Sequence, residues 1–373
     1  MKIGIITIAY GENYGNRLQN YALQEILVSL GVKAETIKDI SPHGWSLKKR
    51  IEIACREFIS NIIKRKIIRY KRALSFSVFN KKYIKYSKIK FGYKSSYLSL
   101  NRTYDYFIIG SDQVWNTHFD DIRIKIYNML AGFAEGNKRI AYAASFGQAS
   151  IKKGCEQYFE SELPLFKKIS VREISGVELV KKCNAQAVVT LDPTMLINKD
   201  QWNRIERKPK MVPGGEYVVT YLFNQNDDRM KEYIRIVAGT KHIVNIFDIF
   251  VEQKNIDNPD IYSAAPDEFV WLISHASCVL TDSYHGAVFS IIFHKPFIVF
   301  DRLIDGQDGK MGGRIDTLLS TFGLESCRGD INNPTGLPVE PDWEKVDRIL
   351  EKEREKSLQF LKNALDLESQ NEQ

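Results

Sequence analysis

Cysteine is scarce and scattered in this sequence, which limits the kinds of site that it can form. The five cysteines never occur as a C-x-x-C pair, so the pattern excludes a disulfide framework and a zinc knuckle. No apolar run approaches the roughly 18 residues that a membrane-spanning helix needs. The apolar run at residues 2–8 is also too short for a signal peptide. We therefore expect a cytoplasmic protein that does not cross a bilayer.

Common catalytic and cofactor signatures are missing as well. Gly11 and Gly15 in the first loop do not form the G-x-G-x-x-G fingerprint, so we do not expect NAD or FAD. Both glycines suit a turn with positive φ as well as close contact with a ligand. No H-E-x-x-H, G-x-S-x-G, Walker or protein-kinase signature occurs. Without clustered ligands, neither a metal site nor a cofactor is predicted.

The chain has 373 residues, which is long enough for two α/β domains with separate cores. Short apolar segments alternate with helical patterns over residues 1–198 and again over residues 212–335. Proline and glycine interrupt this periodicity around residues 199–215, and residues 340–373 predict a charged C-terminal helix with a polar tail. We predict two Rossmann-like domains that face a cleft, resembling the GT-B arrangement.

Positive charge is concentrated in one segment of the first domain, residues 45–95. Between Lys48 and Lys94, sixteen Lys or Arg residues accompany only two acids. Apolar residues at helical spacing predict a basic amphipathic helical insertion. Such helices lie on anionic membrane surfaces, but a basic helix face can equally be solvated only, and both interpretations stay open. No recognition motif for nucleic acid accompanies the segment, so nucleic acid is not an expected partner.

Polar residues follow several predicted strands of the first domain. Asp112 follows the strand at residues 104–110, and Arg172 and Glu173 end the strand at residues 169–173. Because the carboxyl ends of parallel strands share one edge of a sheet, we expect these residues to line the cleft. Arg172 suits bidentate binding of a carboxylate or phosphate, or a salt bridge to Glu173. Asp112 is either a proton acceptor for a hydroxyl or a cap for its own loop.

The second domain centres on residues 281–288, Thr-Asp-Ser-Tyr-His-Gly-Ala-Val. A buried strand precedes this stretch and a buried helix is predicted at residues 287–293, so residues 282–286 are expected to form a strand-to-helix turn. The free amides at the helix start favour an anion, and His285 suits anion binding or proton transfer near neutral pH. A lone histidine can also be structural. Arg314, after two glycines at a helix start, indicates a second anion site.

Several short motifs occur in a fixed order along the chain and together resemble one family. They are Asn13-Tyr14-Gly15 with Leu18-Gln19, Gly110-Ser111-Asp112-Gln113-Val114-Trp115-Asn116, the stretch at 142–147, Ser170-Val171-Arg172-Glu173, Asp192-Pro193-Thr194, the stretch at 281–286, and Arg314-Ile315. The set resembles the polysaccharide pyruvyl transferase family over residues 3–325, apart from residues 45–95.

This resemblance implies transfer of pyruvate from phosphoenolpyruvate to hydroxyls of a saccharide, giving a pyruvate ketal in the synthesis of capsule, exopolysaccharide or another cell-surface glycan. Phosphoenolpyruvate is then a co-substrate, and no cofactor is needed. The resemblance places the acceptor in the first domain and the donor in the second. A lipid-linked acceptor would bring residues 45–94 to an anionic membrane at its inner face.

The resemblance also implies roles for individual residues. His285 and Asp112 are the expected catalytic pair, as general acid and base. The expected donor-binding residues are Arg172, Ser283, Tyr284, His285, Gly313 and Arg314, and the expected acceptor-binding residues are Asn13, Tyr14, Gln19, Gln113 and Trp115.

One departure from the family concerns the donor site. Some branches carry Arg-Leu-His where this chain has Ser283-Tyr284-His285, so one phosphate-binding cation is absent. Arg314 replaces it, or the donor is bound differently or is another molecule. The alternative functions are a GT-B-like glycosyltransferase that uses a nucleotide sugar and a non-catalytic glycan-assembly protein, because a fold does not fix a function.

Overall fold

The structure is a computed structural model that describes residues 1–39, 62–90, 94–118, 122–210, 212–223, 228–246, 263–301, 313–330 and 332–367. The first part of the predicted basic insertion (residues 45–61), Gly312 before Arg314 and the polar tail (residues 368–373) lie outside the described residues. Within them, none of the helices is long and apolar enough to cross a membrane.

Six parallel strands form the sheet of the first domain. In chain order they are β1 (Lys2–Ile6), β2 (Lys33–Thr36), β3 (Tyr106–Ile109), β4 (Arg139–Ala144), β5 (Lys168–Val171) and β6 (Val188–Val189). In space the order is β2-β1-β3-β4-β5-β6. The helices between them are α1 (Tyr14–Ser29), α2 (Ile62–Tyr83), α3 (Lys94–Thr103), α4 (Ile122–Met129), α5 (Glu156–Glu162) and α6 (Ile174–Lys182).

The second sheet has five parallel strands and repeats the same winding. Its strands are β7 (Tyr217–Tyr221), β8 (His242–Asn245), β9 (Cys278–Thr281), β10 (Phe297–Phe300) and β11 (Arg328–Gly329), in the order β11-β10-β9-β7-β8. The remaining helices are α7 (Pro193–Leu196), α8 (Lys199–Asn203), α9 (Asp228–Ala238), α10 (Pro266–Ser274), α11 (Tyr284–Ile292), α12 (Gly313–Phe322) and α13 (Trp343–Ala364). The predicted fold of two parallel α/β domains is confirmed.

Each sheet reverses its winding direction at one place, between β1 and β3 in the first domain and between β7 and β9 in the second. Open α/β sheets bind ligands at such switch points, beyond the carboxyl ends of the strands. The Thr7 hydroxyl donates to the Ser111 carbonyl at 3.1 Å and joins the loops after β1 and β3. The Phe223 amide donates to Asp282 Oδ2 at 2.9 Å and joins the loops after β7 and β9.

A single apolar cluster joins the inner faces of the two domains. Tyr14 of α1 stacks on Phe269 of α10, with ring centroids 4.6 Å apart. Helix α13 also bonds to both domains, because Arg354 donates to the Met195 carbonyl at 2.6 Å and Asp347 bonds the His294 ring at 2.9 Å. These contacts hold the switch points of the two domains face to face.

Three predicted boundaries were wrong near the cleft. Helix α11 begins at Tyr284 rather than at residue 287, because the extended Ser283 is already its N-cap. His285 is therefore in the first helical turn and not in a loop. The sequence predicts that Ser175 caps a helix at residues 176–183, but helix α6 begins at Ile174 with Glu173 as its N-cap, so Ser175 lies inside the helix. The sequence predicts a strand over residues 187–192, but β6 has only two residues and Asp192 caps α7 instead.

Candidate functional site

A buried arginine at the end of β5 organises the charges between the two domains. Arg172 Nη1 lies 2.9 Å from Asp192 Oδ2, and Nη2 lies 3.3 Å from Asp112 Oδ1. The ring of Tyr284 from the second domain covers the guanidinium, with its centroid 4.5 Å from Cζ. Burial alone would lower the pKa of Arg172, but Asp112 and Asp192 outweigh it and raise the pKa further. Arg172 is therefore a permanent cation held inside the site.

Asp192 is the buried carboxylate that links this arginine to other parts of the site. Its Oδ1 accepts from the Thr194 amide at 3.0 Å and caps α7, and its Oδ2 accepts from the Ser111 hydroxyl at 2.6 Å. Burial would raise the pKa of Asp192, but His285, Arg172 and the Ser111 hydroxyl hold it well below its ordinary value. Asp192 was not among the site residues predicted from the sequence.

Asp112 has an unusual backbone conformation, with φ of 82°. This region is costly for a residue with a side chain and persists only where the surroundings enforce it. The Ser145 amide donates to the Asp112 carbonyl at 3.0 Å, and the Gln113 amide donates to Asp112 Oδ1 at 2.8 Å. The loop after β3 therefore presents the carboxylate in one fixed direction, towards Arg172.

His285 lies where the first turn of α11 meets the start of α1. Its imidazole packs on Gly15 so closely that a Cβ on Gly15 would lie 2.7 Å from His285 Cγ. Its Nε2 lies 3.6 Å from Asp192 Oδ2 and makes no hydrogen bond within the described residues. Within the described residues, the side chain of the N-cap Ser283 makes no capping bond, which leaves the amides at the start of α11 for another acceptor.

Arg314 reaches the first domain from the start of α12. In the orientation that satisfies its neighbours, the Gln113 amide oxygen accepts from Arg314 Nη1 at 3.1 Å and Nη2 at 3.3 Å. Gly313 approaches α6 closely, since a Cβ there would lie 2.9 Å from Ser175 Oγ. The Ile174 amide donates to Thr317 Oγ1 at 3.1 Å across the same boundary. Helices α6 and α12 thus start side by side at the cleft.

Glu173 adds a third buried carboxylate beside Arg172. Its Oε1 accepts from the Ser145 hydroxyl at 2.9 Å and from the Phe146 amide at 2.8 Å. Burial raises the pKa of Glu173, although Arg172 and Arg314 act in the opposite direction. Arg172 Nε is 4.0 Å from Glu173 Oε2, so Glu173 is a weaker partner of Arg172 than Asp192 is. Glu173 mainly fixes the loop at residues 145–147.

The predicted acceptor residues fall into different places. Asn13 caps α1 by accepting from the Asn16 amide at 3.0 Å, and buried Gln19 donates to Thr7 Oγ1 at 2.9 Å. Both lie at the first switch point. The Tyr14 hydroxyl donates to the Ala264 carbonyl at 3.0 Å, so Tyr14 serves the domain interface. Trp115 is buried in the first-domain core, where its Nε1 donates to the Met129 carbonyl at 3.1 Å.

A further cation at the first switch point was missed by the sequence analysis. Arg17 of α1 is only 2% exposed, and its Nε and Nη1 make no hydrogen bond within the described residues. Its Nη2 donates to the Gly11 carbonyl. Burial lowers the pKa of Arg17, although Tyr86, Glu12 and Asp112 oppose this. Burying an incompletely paired guanidinium destabilises a fold, so a gain in stability does not explain the buried position of Arg17.

The site thus joins residues from five of the predicted motifs, namely those containing Gly15, Asp112, Arg172, Asp192 and His285. A sixth motif contributes Arg314, which contacts Gln113. A family model described as polysaccharide pyruvyl transferase matches residues 13–303, most of the chain. The chain belongs to this family. The predicted resemblance is thereby confirmed. Among the described residues, no group of three His, Cys, Asp or Glu residues is placed to hold a metal ion.

Comparison with other known proteins adds only distant likenesses. No curated protein sequence matches this member of the pyruvyl transferase family significantly. A Staphylococcus aureus protein, MnaA, solved with UDP, is 8% identical with a TM-score of 0.48, covering 98% of this chain and 97% of that one. The Methanocaldococcus jannaschii UDP-GlcNAc 2-epimerase is 13% identical with a TM-score of 0.44, covering 95% and 93%. Neither likeness bears on substrates.

Proposed function

We propose that the protein transfers pyruvate from phosphoenolpyruvate to two hydroxyls of a saccharide and forms a cyclic ketal. The observation that supports this most is the chain of ionisable side chains His285–Asp192–Arg172–Asp112, which crosses from one domain to the other at both switch points. It offers a proton donor at one end and a proton acceptor at the other, beside Arg314. Family membership supports a transferase of this kind.

The proposed reaction needs one proton and loses one phosphate. Protonation of the methylene carbon of phosphoenolpyruvate gives a methyl group and an oxocarbenium-like centre at the neighbouring carbon. The first hydroxyl attacks that carbon, the bond to the phosphate oxygen then breaks, and the second hydroxyl closes the ring. The two hydroxyls release two protons. One replaces the proton that was added to the methylene carbon, and the other leaves with the phosphate.

On the donor side, we assign phosphoenolpyruvate to the starts of α11 and α12. The uncapped amides after Ser283 and the Arg314 guanidinium would bind its phosphate and carboxylate. His285, in the same first turn, would supply the proton. Arg172 is completely buried, with both Nη atoms committed to carboxylates. The sequence predicted Arg172 as a donor-binding residue. We propose instead that it positions Asp112, Asp192 and Tyr284 and does not contact the donor directly.

On the acceptor side, Asp112 is the proposed base for a sugar hydroxyl, because its loop fixes it at the first switch point. Arg17 lies near enough for Asp112 to affect its pKa. We propose that its incompletely paired guanidinium meets an anionic group that arrives with a substrate, such as the phosphate of a lipid-linked saccharide. The biological role would then be synthesis of a capsule, exopolysaccharide or other surface glycan.

A phosphate-release assay tests this proposal. The protein is incubated with phosphoenolpyruvate and a panel of lipid-linked saccharides and simple glycosides. We expect acceptor-dependent release of phosphate, which His285→Ala lowers at least about tenfold, or about 1.4 kcal/mol of transition-state stabilisation. Turnover of a nucleotide sugar without phosphate release would instead indicate a glycosyltransferase. If neither phosphate release nor turnover of a nucleotide sugar occurs with any acceptor, the result would favour a non-catalytic assembly role and contradict the proposal.

A further inference from the structure

Helix α2 has two apolar faces, of which only one is covered by the residues that the structure describes. On the covered face, Phe76 packs on Tyr14 with ring centroids 5.1 Å apart, and Phe79 packs on Tyr21 at 6.4 Å. Arg72 belongs to this face as well, since its Nη1 donates to the Tyr14 hydroxyl at 3.1 Å. This face explains why the helix docks on the first domain and contacts α10 of the second.

The opposite face of α2 carries a row of large apolar side chains in solvent. Tyr70, Leu74 and Val78 are 69%, 49% and 56% exposed. Their spacing of four residues places them along one side of the helix, a little over one turn apart. Three neighbouring apolar side chains on one helix face are more than the scattered single exposures of an ordinary surface. We call these three residues the α2 stripe.

The surroundings of the α2 stripe are strongly positive. Residues 58–104 contain thirteen Lys or Arg and no Asp or Glu. Lys71, Lys81 and Lys82 are exposed around the stripe, and long basic side chains can keep their charges in water while their stems lie along an apolar surface. An apolar stripe bordered by lysines matches the interface of an anionic bilayer, where Tyr and Leu enter the headgroup region and lysines meet lipid phosphates.

We propose that the α2 stripe binds the surface of an anionic lipid bilayer. The position of α2 relates this contact to the first domain's loops. Arg72 Nη2 donates to the Glu12 carbonyl at 2.8 Å, in the loop that leads into α1. The helix that carries the α2 stripe therefore lies beside the first switch point, where a lipid-linked acceptor would enter. The inference does not depend on the proposed reaction, since binding to vesicles requires no catalysis.

Sedimentation with vesicles tests the proposal. Wild-type protein is mixed with phosphatidylcholine vesicles with or without one-third phosphatidylglycerol, and the bound fraction is measured at low and physiological salt. We expect binding to the anionic vesicles only. The triple variant Tyr70→Ser, Leu74→Ser, Val78→Ser should partition onto them at least about tenfold less. The variant Lys71→Gln, Lys81→Gln, Lys82→Gln should bind less and show a weaker salt dependence.

The matched control removes three similarly exposed apolar side chains from the second domain and the segment that follows it, with Ile236→Ser, Leu337→Ser and Val339→Ser. It should bind like the wild type, and circular dichroism should show all variants folded. Equal binding by the stripe variant and the control would overturn the proposal. Failure of the wild-type protein to bind anionic vesicles would overturn it as well. Sedimentation velocity gives a second check: self-association lost only in the stripe variant would assign the stripe to a second copy and overturn the lipid proposal.

Discussion

The imidazole of His285 rests directly on the backbone of Gly15, so that the first turns of α11 and α1 touch across the two domains. A side chain at Gly15 would overlap the ring, with a Cβ 2.7 Å from His285 Cγ. The position of the proposed proton donor thus depends on a glycine that is distant from it in sequence.

We predict that Gly15→Ala inactivates the enzyme without unfolding it. The new methyl group would push the imidazole away from Asp192, and misplacement by about 1 Å can cost around a hundredfold in rate. Phosphate release from phosphoenolpyruvate measures the effect, and thermal melting monitors the fold. The control is Gly214→Ala, because nothing lies within 4 Å of a Cβ there. Wild-type activity in Gly15→Ala would show that the position of His285 does not matter.

Arg17 and Arg72 can be compared directly, because both are buried arginines that lie near the start of α1. Arg72 makes hydrogen bonds through both Nη1 and Nη2, so Arg72→Met should lower the free energy of unfolding by about 2 kcal/mol. Arg17→Met removes a poorly paired buried charge and should leave that free energy unchanged or raised. It should nevertheless lower the affinity for an anionic substrate. Urea denaturation and substrate titration measure the two effects.

A loss of stability in Arg17→Met as large as that in Arg72→Met would mean that Arg17 is structural. Retained affinity for every anionic substrate would exclude it from the site.

Asp192 should stabilise the fold in a pH-dependent way. Its pKa in the folded protein lies below the ordinary 3.8, so its contribution is complete above about pH 5 and is lost as the pH falls through the folded-state value. Asp192→Asn should lower the free energy of unfolding by about 3 kcal/mol at pH 7, because Arg172 loses a buried partner. The difference from the wild type should narrow below about pH 4.

The control for this experiment is Asp342→Asn. Asp342 caps α13 from an exposed position, and asparagine caps a helix equally well. If the two variants have the same stability at pH 7, or if the effect of Asp192→Asn persists unchanged at pH 3, Asp192 is not held ionised as described.

Arg314 should matter for the donor and not for the fold. Arg314→Gln should raise the KM for phosphoenolpyruvate about tenfold, because a charge-assisted bond to the phosphate or carboxylate is lost. The control Arg328→Gln removes an arginine that pairs with Asp301 at 2.7 Å elsewhere in the second domain. Initial rates at varied donor concentration distinguish the two variants. An unchanged KM in Arg314→Gln would assign donor binding to other groups.

Much of the fold could be predicted because its signals are local. Alternation of apolar segments and helical patterns was enough for two parallel α/β domains. The same patterns predict a helix at residues 228–238 and a strand at residues 278–281, which are the observed boundaries of α9 and β9. Helix starts near the cleft were missed, because apolar periodicity identifies the first apolar residue and not the N-cap. Ser283 and Glu173 begin helices through their extended backbone, which no apolar pattern records.

The site was harder to predict, because its contacts join residues that are far apart in sequence. The end of each strand indicated Arg172 and Asp112, but not that Asp192 would lie between Arg172 and His285. The Asp-Pro-Thr motif after β6 was the available signal for that residue. Trp115 appeared suited to the cleft from its polar loop, yet its indole packs inward against Phe146, with centroids 5.2 Å apart. Direction of a side chain is a tertiary property.

The most direct test of the proposed function is to follow the carbon that is transferred. Phosphoenolpyruvate labelled with carbon-13 at the phosphate-bearing carbon is incubated with the protein and a saccharide acceptor, and the products are observed by carbon and phosphorus NMR. We predict a ketal carbon attached to the saccharide, formed in equal amount with free phosphate and absent with His285→Ala. Release of phosphate with free pyruvate only, or an unlabelled saccharide after the donor is consumed, would contradict ketal formation.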